Sequence, residues 1–228
     1  GTMRPIDFSY NRLVNSGLST NTWTLYANIS NNTVTNNSNS YLNITINQNT
    51  DSYQGYRGVC NVQDNDFEFV RLYLNGSHYR TSTTRVERNT LTRCNSSSTG
   101  MFLNIYNGYS NGTADSVRLI VSNNSINGQA QTSNSGYGIY ANFNNEPVSL
   151  EIRNNAIQAT RYGIYVNSTK SSKAIIENNT IDSAYSYGVY LNRVSGRISE
   201  NTITNSGWSS GWGMYLVSDF NYPALDSI

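Results

Sequence analysis

"IRNNAI" (residues 152–157), "IENNTI" (176–181) and "ISENTI" (198–203) are one phrase written three times. An apolar residue is followed by two variable residues, an asparagine, one more variable residue and an apolar anchor. The phrase recurs upstream as "VSNNSI" (121–126), "VERNTL" (86–91), "VQDNDF" (62–67), "ISNNTV" (29–34) and "FSYNRL" (8–13). Two positions before every anchor stands Asn11, Asn32, Asn65, Asn89, Asn124, Asn155, Asn179 or Asn201. Five before it stands an apolar residue, from Phe8 and Ile29 to Ile176 and Ile198. A fixed-offset repeat is the signature of a stacked architecture.

The anchors are 21, 33, 24, 35, 31, 24 and 22 residues apart. The short spacings define the unit, and the long ones are units carrying inserted loops. Apolar residues alternate within a unit, and no segment shows the 3.6-residue period of a helix. Strands alone, with asparagine held at one corner, predict an all-β chain: a right-handed, single-stranded parallel β-helix of about eight coils. A β-sandwich would not keep one asparagine at one offset through every repeat. The pattern resembles the pectate-lyase-like superfamily of parallel β-helices. That resemblance implies corner asparagines bonded amide to amide up a column. Eight coils make a rod on the order of 34 Å tall. The reading treats residues 1–228 as a single domain, a segment of a longer secreted protein.

A second clock runs with the first: "YGIY" (137–140), "YGIY" (162–165), "YGVY" (187–190) and "WGMY" (212–215). In a strand, side chains alternate between the two faces. With Ile139, Ile164, Val189 and Met214 facing in, Tyr140, Tyr165, Tyr190 and Tyr215 form one outward column. "GMFL" (100–103) adds Phe102 beneath them. The glycines are expected to keep this face low, so that the rings are not walled in. Simple alternation turns Tyr137, Tyr162, Tyr187 and Trp212 inward, unless a corner rotates them. Trp208 and Trp212 either cap the end of the rod or close the aromatic stripe.

Charged residues are only 13% of the chain and the net charge is +1, with Asn, Ser and Thr in their place. No basic stripe offers itself to nucleic acid, and no apolar run is long enough for membrane insertion. Cys60 and Cys94 are not in a CxxC pair, and the one histidine, His78, completes no zinc set with them. They read as buried thiols, or as a disulfide if the fold brings them together. His78, in "NGSHYR", reads as a turn residue. No cofactor and no metal is expected.

Glycoside hydrolysis requires two carboxyl groups across a bond. The tightest acidic cluster is "DNDFE" (64–68), where Asp64 and Asp66 flank a corner asparagine as turn residues commonly do. The DD, GHG and RIK motifs of polygalacturonase-like enzymes are missing, and no catalytic residue is assigned. Arg153 and Glu177 stand at the same offset on successive coils and are expected to form a surface ion pair.

An aromatic column among uncharged hydrogen-bonding residues suits sugar rings, which have apolar C–H faces and a hydroxyl rim. The expected function is therefore non-catalytic attachment to an insoluble polysaccharide such as cellulose or another plant glucan. Its contacts would be Phe102, Tyr140, Tyr165, Tyr190, Tyr215 and Trp212, on an extracellular or cell-surface protein. In architecture and tyrosine content the chain resembles the tāpirins, cellulose-adhesive surface proteins. The alternative is a polysaccharide lyase or hydrolase, including the phage tail-spike type. An ice-binding rod needs two ranks of outward threonine, which Arg12, Asp66 and Ala156 interrupt.

Overall fold

The residue before each corner asparagine adopts the left-handed conformation, with φ between 55 and 58° from Tyr10 through Asn154 to Glu200. Asparagine tolerates this backbone, whereas Tyr10, Arg88 and Glu200 accept a cost of about 1–2 kcal/mol there. The asparagine that follows offsets it. Asn155 accepts hydrogen bonds at Oδ1 from the backbone N–H (3.0 Å) and Nδ2 (2.9 Å) of Asn124. Its Nδ2 donates to Asn179 Oδ1 (3.0 Å) and to the Val121 carbonyl (2.9 Å). Amide-to-amide links of this kind run unbroken from Asn11 to Asn201. The ladder implied by the resemblance is present.

The computed structural model describes residues 5–22, 26–36, 42–49, 58–78, 82–94, 100–107, 117–128, 136–144, 148–207 and 211–217. Their strands form three faces of a right-handed parallel β-helix. Face A holds β1 (Ile6–Ser9), β4 (Tyr26–Ser30), β7 (Gly58–Gln63), β10 (Ser82–Glu87), β13 (Val117–Ser122) and β16 (Val148–Arg153). Face B, beyond the asparagine corner, is an eight-stranded sheet. It holds β2 (Arg12–Val14), β5 (Thr33–Thr35), β8 (Asp66–Glu68), β11 (Thr90–Cys94), β14 (Ser125–Gly128), β17 (Ala156–Gln158), β19 (Thr180–Asp182) and β21 (Thr202–Thr204). Face C holds β3 (Leu18–Thr22), β6 (Leu42–Asn49), β9 (Val70–His78), β12 (Met101–Asn107), β15 (Tyr137–Asn144) and β22 (Trp212–Val217). Two long strands, β18 (Tyr162–Glu177) and β20 (Tyr187–Ser199), run through the corner from face C to face A without a break. They join these two faces into one sheet of 14 strands. The eight strands of face B mark the eight expected coils.

Stacking in register puts like on like inside the tube. Val121, Ile152, Ile176 and Ile198 make one buried file, and Ile126, Ile157 and Ile181 another. Burying each such side chain contributes about 1.5–3 kcal/mol. Met214 occupies the register of Ile139, Ile164 and Val189 but is 36% exposed. Cys60 is a free, fully buried thiol in this core, and burial pushes its pKa up to about 12. The expected Arg153–Glu177 pair forms at 2.8 Å, within a chain of ion pairs that also takes in Arg118, Glu151 and Arg197 on face A. No helix among the described residues is long and apolar enough to cross a membrane.

Candidate functional site: an aromatic and amide face

Face C carries the tyrosine clock. The register pairs Phe102 with Tyr140, Tyr140 with Tyr165, Tyr165 with Tyr190 and Tyr190 with Tyr215. Their rings stack with centroids 4.8, 5.3, 4.3 and 5.5 Å apart and planes within 18° of parallel. The rings are half-buried and face outward, and Tyr215 at the top is 40% exposed. The column also continues one coil lower than expected, where Tyr73 stacks on Phe102 at 4.8 Å.

The second aromatic column departs from the expectation of simple alternation. Tyr137, Tyr162 and Tyr187 are half-buried on the outside, stacked at 4.7 and 5.6 Å, and Trp212 above them is 60% exposed. The cause is the glycine between the columns. In β15 and β20 glycine and the aliphatic residue after it are both buried, so two consecutive positions face inward and the aromatic before them is rotated out. The glycines thus serve the interior, and lowering the outer face is not their main role. A Cβ on Gly163 would lie 2.5 Å from both the Gly188 carbonyl and Ile181 Cγ2, and one on Gly188 would lie 2.5 Å from Ile203 Cγ2. The anchors of face B press directly against this glycine file.

The two columns interlock. Coils rise about 4.8 Å, but ring carbons attract best at about 3.5–4.0 Å. A ring that closes that gap must tilt about 40° from the plane normal to the rod, and opposite tilts in the two columns would set them about 80° apart. The observed angles are 66° for Tyr137–Tyr140, 74° for Tyr137–Tyr165, 78° for Tyr162–Tyr165 and 64° for Tyr187–Tyr190, falling to 49° for Tyr187–Tyr215. Edge-to-face and stacked contacts of this kind each contribute about 0.5–1.5 kcal/mol beyond burial. The herringbone uses much of each ring's face on its neighbours and turns the outer edges to solvent. Burial raises the pKa values of Tyr137, Tyr140 and Tyr165, and the neighbouring phenols add to the shift for Tyr137 and Tyr165. Arg161 lies over the Tyr162 ring at 5.2 Å.

Beside the first column runs a feature that sequence reasoning missed. Asn104 donates to Asn75 (3.0 Å), Asn142 to Asn104 (3.0 Å), Asn167 to Asn142 (2.9 Å) and Asn192 to Asn167 (2.8 Å). Its signal was in plain sight as "LYLN" (72–75), "MFLN" (101–104), "IYAN" (139–142), "IYVN" (164–167) and "VYLN" (189–192). Tyr73 was missed with it, because Arg71 stands where the later copies have glycine.

The acidic cluster assembles differently. Asp64, in the left-handed corner position, accepts two hydrogen bonds from Arg88 (2.7 and 2.9 Å) on the coil above. The hydrogen bond to Arg88 holds the Asp64 carboxyl below the usual range, which keeps it ionised and unsuited to act as an acid. Asp66 points outward from face B, away from the aromatic face. Trp208 and most of the inserted stretches around 35–58, 103–116 and 127–136 lie outside the described residues.

Residues 103–217 match the family model described as periplasmic copper-binding protein (NosD). The chain belongs to this family. The matched span begins beside Phe102 and ends with β22, so it takes in the upper coils of the NosD-type β-helix and nearly all of the aromatic face. No curated protein and no solved structure matches the chain.

Proposed function

We propose that this chain is a non-catalytic attachment module of the cell envelope or beyond, which holds a polysaccharide such as cellulose against face C. The contacts are Phe102, Tyr140, Tyr165, Tyr190, Tyr215 and Trp212. A tāpirin-like role in adhesion to plant glucan is the narrowest form of this reading. The observation that carries it is the division of the surface. From Phe102 to Tyr215 the two aromatic columns and the amide ladder are uncharged, while face A bears the chain of Arg–Glu pairs. No carboxylate stands in the aromatic columns or the amide ladder, and hydrolysis of a glycoside would need two. The periplasm in the family's description supports an exported location.

Copper, which the same description names, does not fit the residues described. No three of His, Cys, Asp and Glu come together among them. The Cys60 thiol is sealed in the core and held protonated, whereas copper binding requires thiolate, imidazole or thioether groups that can converge. Glu68, Glu151 and Glu177 are paired with arginines.

The test is retention on insoluble glucans of the wild type and of a variant with Tyr140, Tyr165 and Tyr190 all changed to Ala. The wild type should be pulled down and the variant released, with circular dichroism showing that the variant keeps its strands. Equal retention of both would reject this site, and release of soluble sugar by the wild type would replace attachment with catalysis.

A further inference from the structure

The two asparagine ladders differ in what they leave unused. A primary amide has two N–H donors and two acceptor lone pairs. In the corner ladder all four are taken, as at Asn155, whose Nδ2 donates to Asn179 and Val121 and whose Oδ1 accepts twice from Asn124. In the outer ladder Asn142 donates one N–H to Asn104 and accepts one from Asn167, and Asn167 donates to Asn142 and accepts from Asn192. At Asn104, Asn142 and Asn167 one N–H and one lone pair are thus not consumed by the ladder. Trigonal geometry directs both away from its axis. Each amide lies two residues beyond a ring of the same coil, so ring and amide share the outward side.

We infer that this amide rail and the ring column beside it bind a single extended β-linked glycan chain lying along the rod, one sugar per coil. The inference rests on the polysaccharide reading and specifies its ligand. Two rungs rise about 9.6 Å, close to the repeat of one disaccharide in an extended β-linked glucan. From Asn104 to Asn192 each rung keeps an N–H and an oxygen lone pair together, matching two neighbouring hydroxyls that can each donate and accept. An extended peptide advances only about 3.3 Å per residue and loses register within two rungs. An α-linked glucan curls away from a straight rail. Four rungs with capacity to spare, from Phe102 with Asn104 to Tyr190 with Asn192, are in register, and these fix the length of chain that can be held.

Calorimetry with soluble cello-oligosaccharides and malto-oligosaccharides, from disaccharide to hexasaccharide, tests this on the unmodified protein. Affinity should climb with each sugar of the β-linked series up to the tetrasaccharide and then level off, and the α-linked series should bind at least about tenfold more weakly. A double variant, Asn142→Ala with Asn167→Ala, should lose about tenfold or more in tetrasaccharide affinity with its rings in place. Length-independent binding, equal binding of α-linked chains, or retention on insoluble glucan without any oligosaccharide binding would overturn the single-chain inference. So would wild-type tetrasaccharide affinity in the asparagine variant. If the tyrosine variant releases glucan while the asparagine variant binds normally, only the rail fails. If the tyrosine variant is retained, the assignment of glucan binding to face C fails and the rail with it, and if the wild type is not retained at all, the polysaccharide reading fails.

Discussion

Replacing Asn155 by alanine removes one rung from the middle of the corner ladder. Asn155 is 1% exposed, so water cannot take its place. The substitution strips the Asn124 backbone N–H and one of its two Nδ2 N–H groups (the other stays on the Val86 carbonyl) of their acceptor and the Val121 carbonyl of a donor, and it also takes one of the hydrogen bonds reaching Asn179 Oδ1. A buried group left without a partner costs about 1–3 kcal/mol, more than the roughly 1 kcal/mol that a hydrogen bond contributes net. Three newly orphaned groups, with partial relaxation, give a loss of about 4–6 kcal/mol. At about 2–4 °C per kcal/mol for a chain of this size, the melting temperature should fall by about 10–20 °C. Asn142 is the matched control, since its outer-ladder amide donates once and accepts once and its neighbours can turn to solvent. Asn142→Ala should cost about 1 kcal/mol. Urea denaturation followed by circular dichroism measures both. If the two variants lose the same stability, saturation of the corner ladder is not what holds the coils together.

The glycine file gives a second matched pair. Gly163→Ala places a Cβ 2.5 Å from a backbone carbonyl and should cost about 1–3 kcal/mol by overpacking, read as a lower melting temperature. Gly213→Ala, whose Cβ would have Ile203 Cγ2 at 4.0 Å as its nearest contact, should be close to neutral. Alkaline titration tests the herringbone. Tyr137, Tyr140 and Tyr165 have pKa values raised above 10.0, so between the unfolded and folded values the native state binds more protons than the unfolded one. Their contribution is complete below pH 10 and is lost as pH rises above it. Stability should therefore fall steeply beyond pH 10, and phenolate absorbance should show a late fraction that shrinks, leaving Tyr137, in the Tyr140/Tyr165→Phe variant. Titration of all tyrosines together near their ordinary value would refute the burial of the rings.

The sequence by itself determined the coil. One asparagine at one offset through eight phrases, with an apolar residue three positions before it and another two after, admits few structures besides a stacked helix of parallel strands. Period and register then put Tyr140 beside Tyr165 and Tyr190 without any further information, because a fixed unit stacked in parallel aligns equal positions. What alternation could not yield was the direction of Tyr137, Tyr162, Tyr187 and Trp212. That depended on the anchors Ile157, Ile181 and Ile203 crossing from face B to press on Gly138, Gly163 and Gly188, a contact between residues 15 to 19 apart in the chain. The same holds for the two ladders. Both are written as asparagine recurring at a fixed offset, and only the three-dimensional surroundings decide which is saturated. The corner amide of Asn155 meets a carbonyl of the coil below, and the outer amide of Asn142 meets the amides of Asn104 and Asn167. Local pattern fixes which atoms recur, but the hydrogen-bonding capacity left to each depends on neighbours that the folded tube alone brings within reach.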